Sequence, residues 1–264
     1  MSRRYVAPMK DKVIVITGAS AGIGAAVAEE VAKRGARVVL ASRRQDVLDA
    51  LAAKLGGLAV ATDVTRRADV ERLRDRALDK LGTIDVWINN AGRAISRPVS
   101  ELTDSDLDTM IADNVKSVLY GIQAVLPHFK QHKRGHIMSI SSGLSRFPFA
   151  PQRSAYSAAK AAVNALMANL RVELRDSFPE IKCTTVLPGV VATEFGVNAL
   201  HGGVDNRKLP GAQGVGEVAQ VIADVIERPR AEVYTRPQML DLAARYFSAD
   251  DVSVIESQPP FRTT

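Results

Sequence analysis

Short β-branched runs alternate along this chain with longer stretches whose apolar residues repeat at helical spacing. Residues 12–17, Lys-Val-Ile-Val-Ile-Thr, are closed by a glycine and read as a strand buried on both faces. A helical pattern follows from about Ile23, with Val27 and Val31 on one face and Gly35 where a C-terminal cap belongs. The same alternation predicts strands at 37–41, 58–62, 84–88, 136–140 and 182–187, and a last short one at 232–234. Helices are predicted over 46–55, 66–81, 154–175 and 214–226, with a long helical stretch, straight or bent, over 104–131. Strands separated by helices need crossover connections, which give a parallel sheet covered on both faces. The expected fold is α/β: one Rossmann-type, doubly wound domain over 1–264, with about seven parallel strands and helices on both faces. Its core would span 11–235, with extensions at 1–10 and 236–264, and the glycine-rich stretch 202–216 reads as a mobile loop.

Composition narrows the function classes. At 264 residues, 46% hydrophobic and 24% charged, the chain has the make-up of a globular protein with a well-buried core. No apolar run reaches the roughly 18–20 residues of a membrane span. The basic N-terminus, Met1-Ser2-Arg3-Arg4-Tyr5, has no apolar stretch of signal-peptide length behind it. A cytoplasmic protein with no membrane partner is expected. The net charge is +6, but 35 basic residues are interspersed with 29 acidic ones, as in Arg66-Arg67-Ala68-Asp69-Val70-Glu71-Arg72. Such mixing marks solvated helix faces and argues against a nucleic-acid partner. The single cysteine, Cys183, lies in an apolar segment and reads as a buried, reduced thiol. No metal site is expected.

The first strand opens into Thr17-Gly18-Ala19-Ser20-Ala21-Gly22-Ile23-Gly24. Glycines let a backbone turn tightly against a pyrophosphate, and the free N–H groups of a helix start favour its charge. Alone, such a string is a plain turn; between strand and helix it reads as a dinucleotide cradle. Its spacing departs from Gly-x-Gly-x2-Gly and resembles the TGxxxGIG signature of the short-chain dehydrogenase/reductase family. Gly18, Ser20, Ala21, Gly22, Ile23 and Gly24 are then the expected cofactor-binding residues of the turn. An NAD enzyme places an acid at the end of the second strand, on the ribose hydroxyls. Here that end reads Leu40-Ala41-Ser42-Arg43-Arg44, without a carboxylate. Arginine pairs with a 2′-phosphate that an acid would repel, so NADP(H) is expected over NAD(H). The alternative is two solvated arginines capping a strand. The resemblance also implies adenine contacts from Asp63 and Val64, and a ribose-side contact from Asn90, Ala91 and Gly92, with Asn89 bracing the sheet. It implies nicotinamide contacts from Pro188, Gly189, Val191 and Thr193.

In Tyr156-Ser157-Ala158-Ala159-Lys160, tyrosine and lysine lie four apart and so share a helix face. A phenol titrates near about 10, and a close ammonium would lower it toward useful proton transfer. Alone, the pair would be read as a surface pair. The predicted fifth strand ends Ser139-Ile140-Ser141-Ser142, at the edge where open α/β sheets bind ligands. The family resemblance makes Ser142 the catalytic serine, with Ser141 as second candidate because the commonest family spacing is one residue shorter. It makes Tyr156 the acid/base, Lys160 its partner and a ribose contact, and Asn114 the fourth member of the tetrad, ordering a water and proton relay to the lysine. Six motifs in order, from 11 to about 235, carry the resemblance. The reaction it implies is hydride transfer that interconverts a ketone or aldehyde and an alcohol.

Other expectations reach further. The ending from Glu232-Val233-Tyr234-Thr235-Arg236-Pro237 departs from the glycine-rich finish of the family and should form a helix and an irregular tail. A homodimer through the long helices around Asn114 and Tyr156 is expected, with a homotetramer as the alternative. Leu144, Phe147, Phe149 and the segment 194–200 should line an apolar substrate site. Alternatives are a 3-oxoacyl-thioester reductase and a non-catalytic NADP(H)-sensing regulator; the presence of both Tyr156 and Lys160 speaks against the second. Arg93, Arg146 and Arg153 should lie on loops near the mouth. If they converge they favour anionic carbonyls; otherwise at least two point to solvent or pair with acids.

Overall fold

All five residues of the strand β1 (Val13–Thr17) are buried, because both of its faces carry helices. Ile14 and Ile16 point to one side and Val13 and Val15 to the other, the two-residue period of a pleated strand. The computed structural model describes residues 9–261; the basic run at 1–5 lies outside them. Around β1 the chain builds α1 (Gly22–Lys33), β2 (Arg37–Ser42), α2 (Gln45–Leu55), β3 (Leu58–Ala61), α3 (Arg67–Leu81) and β4 (Val86–Asn89). It continues through α4 (Asp104–Ile111), α5 (Ser117–His132), β5 (Gly135–Ile140), α6 (Ser154–Leu174) and β6 (Ile181–Leu187). It finishes with α7 (Val215–Glu227), β7 (Glu232–Tyr234), α8 (Pro237–Phe247) and α9 (Val252–Glu256).

The seven strands are parallel and lie in the order β3-β2-β1-β4-β5-β6-β7. Apolar faces of α1, α2 and α7 cover one side of the sheet, and those of α3, α5 and α6 cover the other. Strand order reverses between β1 and β4, so loops at their C-terminal ends diverge and leave a crevice. Among the described residues no helix is long and apolar enough to cross a membrane.

One detail is sharper than the sequence reading and two differ from it. The stretch 104–131 is broken by a wide turn at Ala112–Lys116, where the Ser117 N–H reaches back five residues to the Ala112 carbonyl. The tail beyond 236 is more regular than expected: Pro237 starts α8, and Asp251 caps α9 through the Ser253 N–H. Segment 202–216 is tied down, with Val191 bridged to Gln213 and the Ser96 hydroxyl bonded to the Gly202 carbonyl at 2.6 Å.

Candidate active site

The crevice is held together by Thr17, the last residue of β1. Its buried hydroxyl accepts from the N–H groups of Asn90 and Ala91, at 3.0 and 3.1 Å, and donates to the Ile88 carbonyl. Asn90 completes the knot by donating through Nδ2 to the carbonyls of Thr17 and Gly18, at 2.9 and 3.2 Å. Its amide therefore fastens the glycine turn, a task the ribose-side expectation did not include. Close approach is what makes glycine necessary here: a Cβ on Gly24 would lie 2.5 Å from Asn90 Nδ2 and run into the Gly18 carbonyl. Ala21 caps α1 with no side-chain acceptor, so the first amides of the helix face the crevice unpaired by a cap. The opposite wall is Thr193, whose Cγ2 would stand 3.3 Å from a Cβ on Gly22. The space between is a cradle that only glycine leaves open, and it fits a pyrophosphate.

At the end of β2, Arg44 donates to the Ser20 hydroxyl at 2.9 Å and to the Ser20 carbonyl at 3.1 Å, while its N–H bonds the Ser42 hydroxyl. The Arg43 guanidinium is exposed and makes no hydrogen bond or ion pair among the described residues. Ser20, Ser42 and Arg44 are thus tied together at the end of β2, while the Arg43 charge acts on the Asp113 carboxylate. Beyond β3, the Asp63 carboxylate accepts from the Thr65 hydroxyl at 2.7 Å, which fixes the turn that carries Val64.

Tyr156 and Lys160 lie on the buried face of α6, opposite the end of β5. The Lys160 ammonium donates to the Ile140 carbonyl at 2.9 Å and sits 5.7 Å from the centre of the Tyr156 ring. Burial pushes the Lys160 ammonium down to about 8. Burial also pushes the Tyr156 phenol up to about 12, against the opposing pull of the Ser142 hydroxyl and then of the Arg153 charge. The expectation that the lysine lowers the tyrosine is corrected here: that pull comes from Ser142 and Arg153, because the ammonium is turned toward a carbonyl.

The two candidate serines differ in their hydrogen bonding. The Ser141 hydroxyl points into α6 and donates to Asn164 Oδ1 at 2.6 Å, whereas Ser142 faces Tyr156 and accepts from the Leu144 N–H at 3.2 Å. Asn114 is fully buried on the wide turn. It donates to the carbonyls of Arg93 and Met110 and accepts from the Arg93 N–H, bracing the loop after β4. A Cβ on Gly92 would meet Asn114 Oδ1 at 2.7 Å and Lys160 Nζ at 3.3 Å, so asparagine, loop and lysine converge at that glycine.

The sequence profile of the family described as short chain dehydrogenase matches residues 12–201. The chain belongs to this family. It is thereby an NAD(P)-dependent oxidoreductase. An uncharacterized oxidoreductase of Listeria monocytogenes is 40% identical over 194 residues, which are 71% of this chain and 77% of that one. One of Staphylococcus aureus is 33% identical over 236 residues, 87% of this chain and 98% of its own. Among solved structures, a short-chain dehydrogenase/reductase of Burkholderia phymatum in complex with NAD has a TM-score of 0.84 at 25% identity, covering 98% of this chain and 99% of its own. A 3-ketoacyl-(acyl-carrier-protein) reductase of Brucella melitensis complexed with NADH has a TM-score of 0.77 at 26% identity, covering 86% of this chain and 96% of its own. A serine dehydrogenase complexed with NADP+ has a TM-score of 0.78 at 28% identity, covering 84% and 93%.

In this short-chain dehydrogenase the segment 195–200 packs against Tyr156. Phe195 packs edge-on against Tyr156, with ring centres 5.6 Å apart, and Leu200 is bridged to Ile95. Tyr156 is only 6% exposed beneath this segment. Leu144 packs with Tyr156, Phe195 and Leu200, whereas Phe147 and Phe149, expected beside it, do not. Both pack instead with Tyr246 and Phe261, because the C-terminal extension folds back as an aromatic cluster. That extension supplies a wall the sequence did not reveal: the Met239 thioether lies against the backbone of Gly143 and Gly189, beside Ser142 and Pro188. The three arginines do not converge. Arg146 is paired with Glu232, and Arg153 donates to the Ile95 carbonyl and the Ser96 hydroxyl.

Proposed function

We propose that the chain reduces an apolar or mixed ketone or aldehyde with NADPH and catalyses the reverse oxidation of the alcohol, with Tyr156 as acid and base. The observation that carries the reading is the placing of Ser142, Tyr156 and Lys160 at one sheet edge, beside a phosphate cradle where β2 ends in arginines and not in a carboxylate.

The residues that would hold NADPH are those the family resemblance implies, and the glycine cradle and the Arg44 contacts support the assignment. Gly18 to Gly24 face its pyrophosphate, Ser20, Ser42, Arg43 and Arg44 its 2′-phosphate, and Asp63 and Val64 its adenine. Ala91, Gly92 and Lys160 lie on the ribose side, and Pro188, Gly189, Val191 and Thr193 on the nicotinamide side. When bound, the nicotinamide supplies the hydride for the carbonyl carbon. The chain's own part is proton transfer and charge stabilisation. Ser142 gives a hydrogen bond to the carbonyl oxygen, which is worth most on the charge that grows there during reduction. Tyr156 hands its proton to that oxygen and takes it back in oxidation. A protonated Lys160, held by the Ile140 carbonyl, would serve the ribose of the cofactor. Asn114 holds the loop 91–93 against the lysine, which keeps that corner rigid.

Leu144, Phe195 and Leu200 around Tyr156 favour an apolar substrate. A 3-oxoacyl thioester is the second reading, favoured by the similarity to the Brucella melitensis reductase. The test is a panel of acetophenone, cyclohexanone, benzaldehyde, phenanthrenequinone and an acetoacetyl thioester, followed by loss of NADPH or NADH absorbance. Turnover of the simple ketones or aldehydes, faster with NADPH, is the expected result. Turnover confined to the thioester selects the second reading. NADPH binding without turnover of any carbonyl would contradict both and leave a cofactor-sensing protein.

A further inference from the structure

We propose that Asn164 is a positioning residue for Ser142, locking the turn that carries the serine to the helix that carries Tyr156 and Lys160. The inference rests on the catalytic reading above. Asn164 follows Lys160 by four residues and Tyr156 by eight, so all three share one face of α6. By periodicity an apolar core residue belongs there; neighbouring Val163 and Met167 are fully buried. A buried amide at such a site needs partners. Asparagine inside a helix ordinarily finds one in the carbonyl four residues back, as exposed Asn169 does with Ala165. Asn164 does not.

Both of its side-chain bonds go to the serine turn. Oδ1 accepts from the Ser141 hydroxyl at 2.6 Å, and Nδ2 donates to the Ser145 hydroxyl at 2.7 Å. Ser145 passes its own proton to the Ser142 carbonyl at 2.5 Å, an oxygen that also accepts from the Ser145 N–H at 3.1 Å. The Ser141 hydroxyl also lies 3.2 Å from the Lys160 carbonyl, and the chain of bonds runs Asn164, Ser145, Ser142. On its outer side the turn is pinned by Ser141 N–H to the Val186 carbonyl and Gly143 N–H to the Pro188 carbonyl, both at 2.8 Å. Ser142 is thus fixed between β6 and α6. Its Oγ has one lone pair occupied by the Leu144 N–H, which leaves its proton free to point at the carbonyl oxygen beside Tyr156.

A residue that acts this way changes the chemical step and not cofactor binding, and it acts through Ser145. Ser145→Ala keeps the fold safe, since it removes one oxygen from a half-buried turn. Both Asn164→Ala and Ser145→Ala are expected to lower kcat about tenfold, with KM and the NADPH dissociation constant unchanged. The assay uses the panel carbonyl that wild type turns over fastest. The double variant is expected to be no slower than the slower single one, because both remove the same link. Ser142→Ala is the reference that tests the underlying reading, and it should lose far more. Wild-type kcat in Ser145→Ala, multiplying losses in the double variant, or a parallel loss of NADPH affinity would overturn the role of Asn164. Wild-type kcat in Ser142→Ala would instead overturn the catalytic reading itself.

Discussion

Lys160 is a cation that burial holds near about 8, so it gives up its proton within the range of an ordinary assay. Tyr156, pushed up to about 12, stays protonated there and remains able to act as an acid. The alkaline limb of kcat/KM for carbonyl reduction, which reports groups of the free enzyme, is therefore predicted near pH 8, set by the lysine losing its charge. Arginine keeps its charge throughout, so a pH profile of Lys160→Arg should lack that limb, whatever its maximum. A limb that stays in place in the variant would assign it elsewhere. Arg43 makes the matching case at the other end of the crevice. One charge-assisted contact with a phosphate is worth about ten- to a hundredfold in affinity. Arg43→Asp should weaken NADPH by that factor and leave NADH nearly unchanged, as read from fluorescence titration of both cofactors. Equal affinities in wild type would contradict the preference.

At the scale of elements, the glycine turn shows how a sequence string becomes a wall. Gly24→Ala puts a methyl group 2.5 Å from Asn90 Nδ2, so the start of α1 must back away from the turn. A stability cost of roughly 1–3 kcal/mol is expected from such overpacking, together with weaker NADPH binding. Urea unfolding and cofactor titration check the two effects separately; an unchanged variant in both would show that the close contact does no positioning. The turn was legible in the sequence because its constraint is local, and so were the strands, whose apolar runs end within two residues of β1 to β7. Helical spacing put Tyr156 and Lys160 on one face, and the family resemblance turned what would have been a surface pair into a candidate site. What the sequence did not show depends on contacts between distant segments. Arg146 meets Glu232 across 86 residues, and Met239 reaches Gly143 and Gly189 from the far end of the chain. Phe147 and Phe149 had the composition of a substrate lining, but the C-terminal extension claims them. Asn164 carried no signal at all, since its role appears only when three serines fold over it.

For the whole molecule, the sheet does two tasks at opposite edges. At the entry edge β5 and β6 are stitched by His136, whose Nε2–H donates to Thr184 at 2.8 Å, the threonine proton being given to the Arg230 carbonyl. Burial first, and then the charges of Lys12 and Lys182, push His136 from the ordinary 6.5 down to about 3. Unfolded chain binds the extra proton between those values, so stability is full above about 6.5 and falls as pH drops toward about 3. The predicted slope approaches about 1.4 kcal/mol per pH unit. His136→Leu should flatten it in urea unfolding measured from neutral to acidic pH, and an unchanged slope would clear His136 of the effect. At the exit edge the strand ends carry Thr17, Asn90, Ser142 and Pro188, and the chemistry assigned to this edge hangs on one oxygen. Replacing Tyr156 with phenylalanine keeps the ring that packs against Phe195 and removes only that oxygen. The most direct measurement is kcat of Tyr156→Phe on a confirmed carbonyl, beside its NADPH dissociation constant. The account predicts a loss of about 10²-fold or more in kcat with cofactor binding nearly intact; wild-type turnover in the variant would contradict it.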